Sequence, residues 1–251
     1  RSVAILPGAE PFHHDGSEVG VLLCHGFTGT PQSMRPWGEY LADRGYSVRI
    51  PLLPGHGTTW QEMNQTRWED WYAAVDTAFR ELHEASERVV VCGLSMGGAL
   101  ALQLAQGHGP RISGLVLVNP AVKVEDPRTL LLPVLKHVVG SLGAIGNDVK
   151  KPGVTELAYT RTPLKAAHSQ LVAWQSIVRD LPEVTQPVLL LRSPQDHVVP
   201  ASSSALILAR ISSLDVTEIL LEDSYHVATI DNDAQRIFDE SAKFIERTTL
   251  S

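Results

Sequence analysis

Short runs of apolar and β-branched residues recur along the chain, separated by helical or glycine- and proline-rich sequence. Most runs are apolar at successive positions, which is typical of parallel strands with helices covering both faces of the sheet. The alternation of strands and helices predicts one doubly wound α/β domain over residues 1–251. The predicted strands are Val19–Cys24, Tyr46–Ile50, Arg88–Cys92, Ile112–Val118, Pro187–Leu191 and Thr217–Leu221.

The clearest helical segment is Arg67–Glu84, where large apolar residues recur every three or four positions. We expect this face to pack into the core rather than to bind a ligand. Thr66, with Glu69 three residues later, predicts a capping box at the start of the helix. The apolar positions are Trp68, Trp71, Val75, Phe79 and Leu82.

One stretch, from Ala121 to about Thr162, breaks this rhythm because it contains no convincing strand. It holds the apolar run Leu130–Leu135 and a lysine pair at residues 150 and 151. We interpret it as an insertion between strands, a small cap or lid rather than a separate domain.

The segment Gly93–Gly98 (GLSMGG) follows the predicted strand Arg88–Cys92 directly and precedes a predicted helix, Ala99–Ala105. A G-x-S-x-G motif between a strand and a helix is typical of a nucleophile held on a sharp turn. Such a turn is strained and leaves room only for glycine two residues to either side. We therefore predict that Ser95 is a nucleophile at the carboxyl end of the sheet; the alternative is a chance Gly-Ser-Gly loop.

A serine nucleophile needs a positioned base, and the base needs an orienting carboxylate. His226 follows the last predicted strand after a short loop, and Asp196 follows the preceding strand, so the two loops can meet. In this fold the partners come in the order serine, acid, histidine. We predict Asp196 and His226 as the acid and the base.

Three neighbouring residues are weaker candidates. His197 would point away from Asp196, so we interpret it as a loop or surface imidazole. Asp223 would have to fold back within one loop to reach the base, so we expect a solvated turn acid. Asp231 is expected to be a turn or cap residue.

Acyl transfer also needs two backbone N–H groups where the carbonyl oxygen becomes negative. We predict these from Met96, the residue after the nucleophile, and from Phe27 in the glycine-containing turn after Val19–Cys24. His25, at the start of that turn, is expected to be a buried structural histidine.

Composition excludes several other functions. Twenty-one Lys and Arg face 28 Asp and Glu, a net charge of −7, which argues against a nucleic-acid partner. No apolar run reaches the ~18 residues of a membrane-spanning helix, and two cysteines cannot form a disulfide scaffold. No histidines or cysteines have metal-ligand spacing, so we predict no metal and no cofactor. The sequence predicts a cytoplasmic location, although a leader that once preceded Arg1 is left open.

The sequence resembles the α/β-hydrolase superfamily over nearly its whole length, and within it the bacterial monoacylglycerol lipases and small carboxylesterases. The resemblance implies that the inserted segment forms a cap over acyl and glycerol pockets. The matching segments are His25–Gly29, Gly93–Gly98, Asp196–Pro200 and Ser224–Thr229, with Ile145–Lys150 and Glu156–Tyr159 in the inserted segment.

We expect a serine hydrolase that cleaves monoacylglycerol to glycerol and a fatty acid through an acyl-enzyme. The alternatives are a general short- to medium-chain carboxylesterase, a thioesterase or C–C hydrolase, and a non-catalytic receptor on the same fold, against which the complete triad argues. Chain-length preference and oligomeric state stay open.

For the pocket, we expect Leu130–Leu135 and Ile145 to form its apolar or entrance side. Glu156 is expected to accept a hydrogen bond from the glycerol, unless it is a solvated carboxylate on a helix surface. We expect no stable membrane insertion, only transient contact through the cap.

Overall fold

A computed structural model describes residues 3–250 of the chain, which form a seven-stranded sheet with helices on both faces and a separate two-stranded sheet. The large sheet has the order β1-β3-β2-β4-β5-β8-β9, with β1 antiparallel to β3 and every other pair parallel. This architecture confirms the predicted α/β fold and all of the predicted strands. The strands are Phe12–His14 (β1), Val19–Cys24 (β2), Ser47–Ile50 (β3), Arg88–Leu94 (β4), Gly114–Val118 (β5), Ser141–Gly143 (β6), Arg161–Pro163 (β7), Val188–Arg192 (β8) and Val216–Leu220 (β9).

Helices cover both faces because successive residues of the central strands point to opposite sides. In β2, Leu22 packs in a core that contains Trp71 and Phe79, whereas Val21 packs in a second core with Trp37. All of these side chains are almost completely buried, and burial of one such as Leu22 stabilises the fold by roughly 1.5–3 kcal/mol. The helices are Arg35–Asp43 (α1), Trp60–Met63 (α2), Trp68–Ala85 (α3), Met96–His108 (α4), Leu132–Leu135 (α5), Leu164–Arg179 (α6), Ala201–Arg210 (α7) and Ala234–Thr249 (α8).

Helix α3 begins one residue later than the predicted capping box required. The carboxylate of Asp70, not that of Glu69, accepts the N–H of Arg67 at 2.8 Å. The hydroxyl of Thr66 instead accepts the indole N–H of Trp71 at 2.9 Å. The prediction from Thr66 and Glu69 was therefore wrong, because a tertiary contact uses the threonine.

The inserted segment, residues 121–162, lies between β5 and α6. It contains a 3₁₀ turn at Pro127–Leu131, helix α5 and most of an antiparallel hairpin in which β6 pairs with β7. Our expectation that it holds no strand was wrong: both strands have three residues, too few to show a periodic pattern. Among residues 3–250, no helix is both long and apolar enough to cross a membrane.

Candidate active site

Ser95 occupies a sharp turn between the end of β4 and the first residue of α4. Its φ is +56° and its ψ is −120°, a conformation that costs energy for any residue with a side chain. A Cβ on Gly93 would lie 2.2 Å from the Gly97 carbonyl oxygen, and one on Gly97 would lie 1.9 Å from the Cys24 carbonyl oxygen. The glycines of the motif are therefore required by close backbone packing, and Ser95 is left partly exposed.

A chain of two hydrogen bonds joins the three residues predicted to act together. The Ser95 hydroxyl lies 3.0 Å from His226 Nε2, and His226 Nδ1 lies 2.8 Å from Asp196 Oδ2. With the Nδ1–H tautomer, His226 donates to Asp196 and its Nε2 accepts from the serine. The other Asp196 oxygen accepts the N–H groups of Val198 and Val199, both at 2.8 Å, which fixes the carboxylate. The three loops follow β4, β8 and β9 and therefore lie together at the carboxyl ends of these parallel strands.

The charges around His226 favour its protonated form. Burial alone lowers the pKa of this imidazole, but the hydrogen bond and charge of Asp196 raise it, and the charges of Glu156 and Asp148 add to this effect. The net result is a pKa above the usual value of 6.5. The imidazole is thus prepared to take up a proton from a neighbouring hydroxyl.

The turn after β2 lies directly beside the serine. A Cβ on Gly26 would lie 3.4 Å from the Ser95 Cβ. His25 is buried, as predicted: its Nδ1 pairs with the Gly26 carbonyl oxygen at 2.9 Å, and its Nε2 accepts the N–H of Leu53 at 3.1 Å. Burial lowers the pKa of His25 to about 4, so the side chain is neutral and supports the loop.

The two predicted N–H donors belong to residues next in the chain to Gly26 and Ser95. Phe27 is the next residue of the turn, and Met96 is the first residue of α4, where backbone N–H groups have no partner within the helix. The positive end of the helix dipole also lies here, which favours a developing negative charge.

A protein-family model described as serine aminopeptidase, S33, matches residues 17–233. The chain belongs to this family of serine hydrolases. The hydrolase is 39% identical to the thermostable monoacylglycerol lipase of Bacillus sp. (strain H-257), over 97% of this chain and 96% of that protein. It is 27% identical to the carboxylesterase of Bacillus subtilis (strain 168), over 95% of this chain and 96% of the relative.

Structural similarity agrees with this assignment. A solved structure from work on LipS and LipT, two metagenome-derived lipolytic enzymes, superposes with a TM-score of 0.94 at 42% identity, covering 97% of this chain and 100% of that one. The hydrolase therefore has the α/β-hydrolase fold, as the sequence predicted.

Three residues were weaker candidates for the acid or the base, and two of them have the surroundings that the sequence predicted. The Asp223 carboxylate is 63% exposed and pairs with Lys150 at 2.7 Å, and the His197 side chain is 56% exposed. Asp231, however, is buried and accepts the N–H groups of Lys150, at 2.7 Å, and Tyr225, at 2.9 Å. It is therefore more than a turn residue, because it joins the inserted segment to the loop that carries His226.

Sequence reasoning missed Asn119, which follows β5 with a φ of +43°. Its buried amide donates to the His226 carbonyl oxygen at 2.8 Å, and its side-chain oxygen accepts the N–H of Ser193 at 2.7 Å. Asn119 thus connects the loops after β5, β8 and β9. The available signal was an asparagine before Pro120 at the end of a strand, since asparagine tolerates positive φ.

The two predicted pocket residues occupy different surroundings. Glu156 lies in irregular backbone, not on a helix, and a Cβ on Gly29 would lie 3.5 Å from its Oε1. Burial raises the pKa of Glu156, while the nearby His226 opposes this shift. The alternative of a helix-surface carboxylate is therefore wrong. Ile145, in contrast, is 63% exposed.

The predicted apolar wall at Leu130–Leu135 has two faces. Leu132 is buried in a small cluster with Leu164, against which Phe27 packs. Leu130 is 82% exposed. Only the inner face of this stretch is available to line a site.

Within residues 3–250, no group of three or more His, Cys, Asp or Glu side chains is placed to hold a metal ion.

Proposed function

We propose that this hydrolase cleaves carboxylic esters through an acyl-enzyme on Ser95 and that monoacylglycerol is its substrate. The observation that carries the proposal is the hydrogen-bonded chain from Ser95 through His226 to Asp196, with links of 3.0 and 2.8 Å. Two relatives that match nearly the whole chain are named as a monoacylglycerol lipase and a carboxylesterase, which supports an ester as the substrate.

In the proposed reaction, the Ser95 oxygen attacks the ester carbonyl carbon while His226 Nε2 takes the hydroxyl proton. The N–H groups of Phe27 and Met96 stabilise the negative charge that forms on the carbonyl oxygen. His226 then gives its proton to the departing glycerol oxygen. Water, deprotonated by His226, releases the fatty acid and restores the serine, while Asp196 keeps the imidazole oriented throughout.

We further propose that residues 121–162 form a lid within a single domain of residues 1–251 and select the substrate. A monoacylglycerol has one apolar chain and a small polar head, so its pocket needs one apolar and one polar end. The cluster of Leu132 with Phe27 supplies an apolar surface beside the nucleophile turn. Glu156, close to Gly29, supplies an acceptor for a glycerol hydroxyl. Because Ile145 is 63% exposed, we propose that it contacts only part of the acyl chain, at the entrance of the pocket.

The outer surface of the lid supports transient contact with lipid. Several of its large apolar side chains are exposed, and Lys136 lies among them, which suits an anionic bilayer, whereas Arg128 is paired with Asp126. Val134→Ser should reduce binding to vesicles that contain phosphatidylglycerol, measured by co-sedimentation; equal binding of both proteins would contradict this contact. The exposed apolar residues are Leu130, Leu131, Val134, Val138, Val139, Leu142 and Ile145.

A general carboxylesterase is the second candidate, favoured by the 27% identity to the Bacillus subtilis enzyme. The test is a panel of mono-, di- and triacylglycerols beside p-nitrophenyl esters of graded length. We expect the highest kcat/KM for a monoacylglycerol and steric rejection of the larger glycerides, and Ile145→Ser should shift the chain-length preference. Rapid cleavage of short p-nitrophenyl esters without cleavage of monoacylglycerol would support the carboxylesterase. Failure to cleave any ester would support the alternative that the protein is a non-catalytic receptor.

A further inference from the structure

Asp148, a residue of the inserted segment, reaches the loops that carry the acid and the base. Its side chain is 9% exposed. One carboxylate oxygen, Oδ2, accepts the backbone N–H of His226 at 3.0 Å and that of His197 at 3.1 Å. The other oxygen lies 2.7 Å from His197 Nδ1.

The two backbone groups belong to the two loops whose relative position the triad depends on. One is the amide of the predicted base, His226, and the other is the amide of the residue directly after the predicted acid, Asp196. The main chain of Asp148 adds a third bond, since its carbonyl oxygen accepts the N–H of Val227 at 3.2 Å. Asp148 therefore accepts the backbone N–H groups of both His226 and Val227, the residue that follows it.

We propose that Asp148 is a positioning residue, which bridges the loops after β8 and β9 and thereby sets the distance between the His226 imidazole and the Asp196 carboxylate. This inference rests on the proposed function of the triad. Hydrogen bonds from N–H groups to a carboxylate are about twice as strong as those between neutral groups. A displacement of about 1 Å in such a site lowers the rate on the order of 100-fold, so the bridge matters for the reaction.

The same carboxylate also acts by its charge. The charged groups that face His226 are Asp196, on the loop after β8, and Glu156 and Asp148, on the inserted segment. His197 also contacts Asp148 through its Nδ1, and the centroid of its ring lies 4.6 Å from that of Tyr225. Removal of the Asp148 charge therefore lowers the pKa of His226, whereas removal of its hydrogen bonds disturbs the geometry.

Two substitutions separate these effects. In Asp148→Asn, the single side-chain oxygen can still accept both backbone N–H groups, because Oδ2 alone accepts them in the native protein. We expect Asp148→Asn to keep kcat within several-fold of wild type, while the acid limb of its kcat/KM profile moves to lower pH. Asp148→Ala loses the bridge, and we expect kcat to fall roughly 10- to 100-fold with little change in KM.

The matched control is Asp180→Ala, which removes a carboxylate outside the inserted segment and the triad loops that pairs with Arg179 at 2.7 Å. It should leave kcat, KM and the pH profile unchanged. A second control, His197→Ala, removes the imidazole contact but keeps both backbone bonds to Asp148, so it should stay close to wild type. Thermal melts of each variant verify that it is folded.

The rate of phosphonylation by a fluorophosphonate probe provides a readout that does not depend on the ester chosen. Asp148→Ala should react more slowly than Asp148→Asn, because the reaction needs a correctly placed His226. If wild type reacts with the probe but does not cleave monoacylglycerol, the proposed substrate fails and the positioning role is still measured. The role is overturned if folded Asp148→Ala reacts as fast as wild type, or if the two variants lose equal activity with unchanged pH profiles.

Discussion

The loops at the carboxyl ends of the central strands differ from the inserted segment in how their side chains are used. In the loops, polar groups are buried and paired: His226 bonds with both Ser95 and Asp196, and Asn119 with the neighbouring backbone. The inserted segment instead exposes apolar groups, such as Val138 at 77%. The difference indicates that the rigid sheet fixes the polar groups of the site, and we propose that substrate choice depends on the inserted segment.

The two regions are joined by carboxylates as well as by apolar packing. Asp148, in the inserted segment, accepts N–H groups of the catalytic loops, and Asp231, beyond the His226 loop, accepts N–H groups of the inserted segment. The connection is therefore reciprocal. It gives the segment a defined place above the site although much of its apolar surface faces solvent.

The largest effect should come from the serine. Ser95→Ala removes the nucleophile, and because triad residues act as a unit we expect kcat to fall on the order of 10⁶-fold while the protein folds normally. Single-turnover hydrolysis of a p-nitrophenyl ester, together with a thermal melt, measures both. Retention of most activity by Ser95→Ala would refute the mechanism.

The next largest effect separates the two acids. Asp196→Asn should lower kcat by roughly 10⁴-fold, because the amide no longer holds the imidazole in the tautomer that leaves Nε2 free. Asp223→Asn is the matched control: its carboxylate is 63% exposed and pairs with Lys150, so activity should stay near wild type. If both variants lose activity equally, the acid has been misassigned.

A smaller effect should appear in substrate choice, on the inserted segment's side of the comparison. Glu156→Ala should lower kcat/KM for a monoacylglycerol relative to a p-nitrophenyl ester of equal chain length by roughly 1–3 kcal/mol, or about 5- to 150-fold. Glu156→Gln, which keeps a hydrogen-bonding oxygen, should lose less. Equal losses on both substrates would mean that Glu156 does not contact the glycerol.

The smallest expected effect is a shift in the pH at which the acid limb of the kcat/KM profile lies. His226 must be neutral to act as a base, and its pKa is raised above 6.5. As pH falls through this raised pKa, kcat/KM should decrease by about tenfold per pH unit. A pH–rate profile measures this, and Glu156→Gln should move its acid limb to lower pH, because one negative charge near the imidazole is lost. A limb that lies well below pH 6.5 in wild type would contradict the described electrostatics.

Local sequence was sufficient for most of the sheet, and it also named the three residues that the fold joins by hydrogen bonds, Ser95, Asp196 and His226. The central strands are continuous apolar runs, and the motif around Ser95 has a strand before it and a helix after it. Strand β1 was missed because its three residues, Phe12–His14, include two histidines and lie at the edge of the sheet. The cytoplasmic location stays a prediction.

Contacts between distant residues could not be predicted in this way. Asp148 and His226 are far apart in sequence, and no periodic pattern connects them. Asp231 looked like a local turn residue because its partners at 150 and 151 lie in the inserted segment. Such carboxylates are recognised only when the fold brings the backbone groups of several loops to one point.

The most direct test of the account is to identify which residue a fluorophosphonate probe modifies. We predict that one equivalent of the probe abolishes ester hydrolysis and that mass spectrometry of the digested protein finds the adduct on Ser95. Asp223→Asn should be modified at the wild-type rate, and Ser95→Ala should not be modified. Loss of activity with the adduct on another residue, or full activity with Ser95 modified, would contradict the central claim.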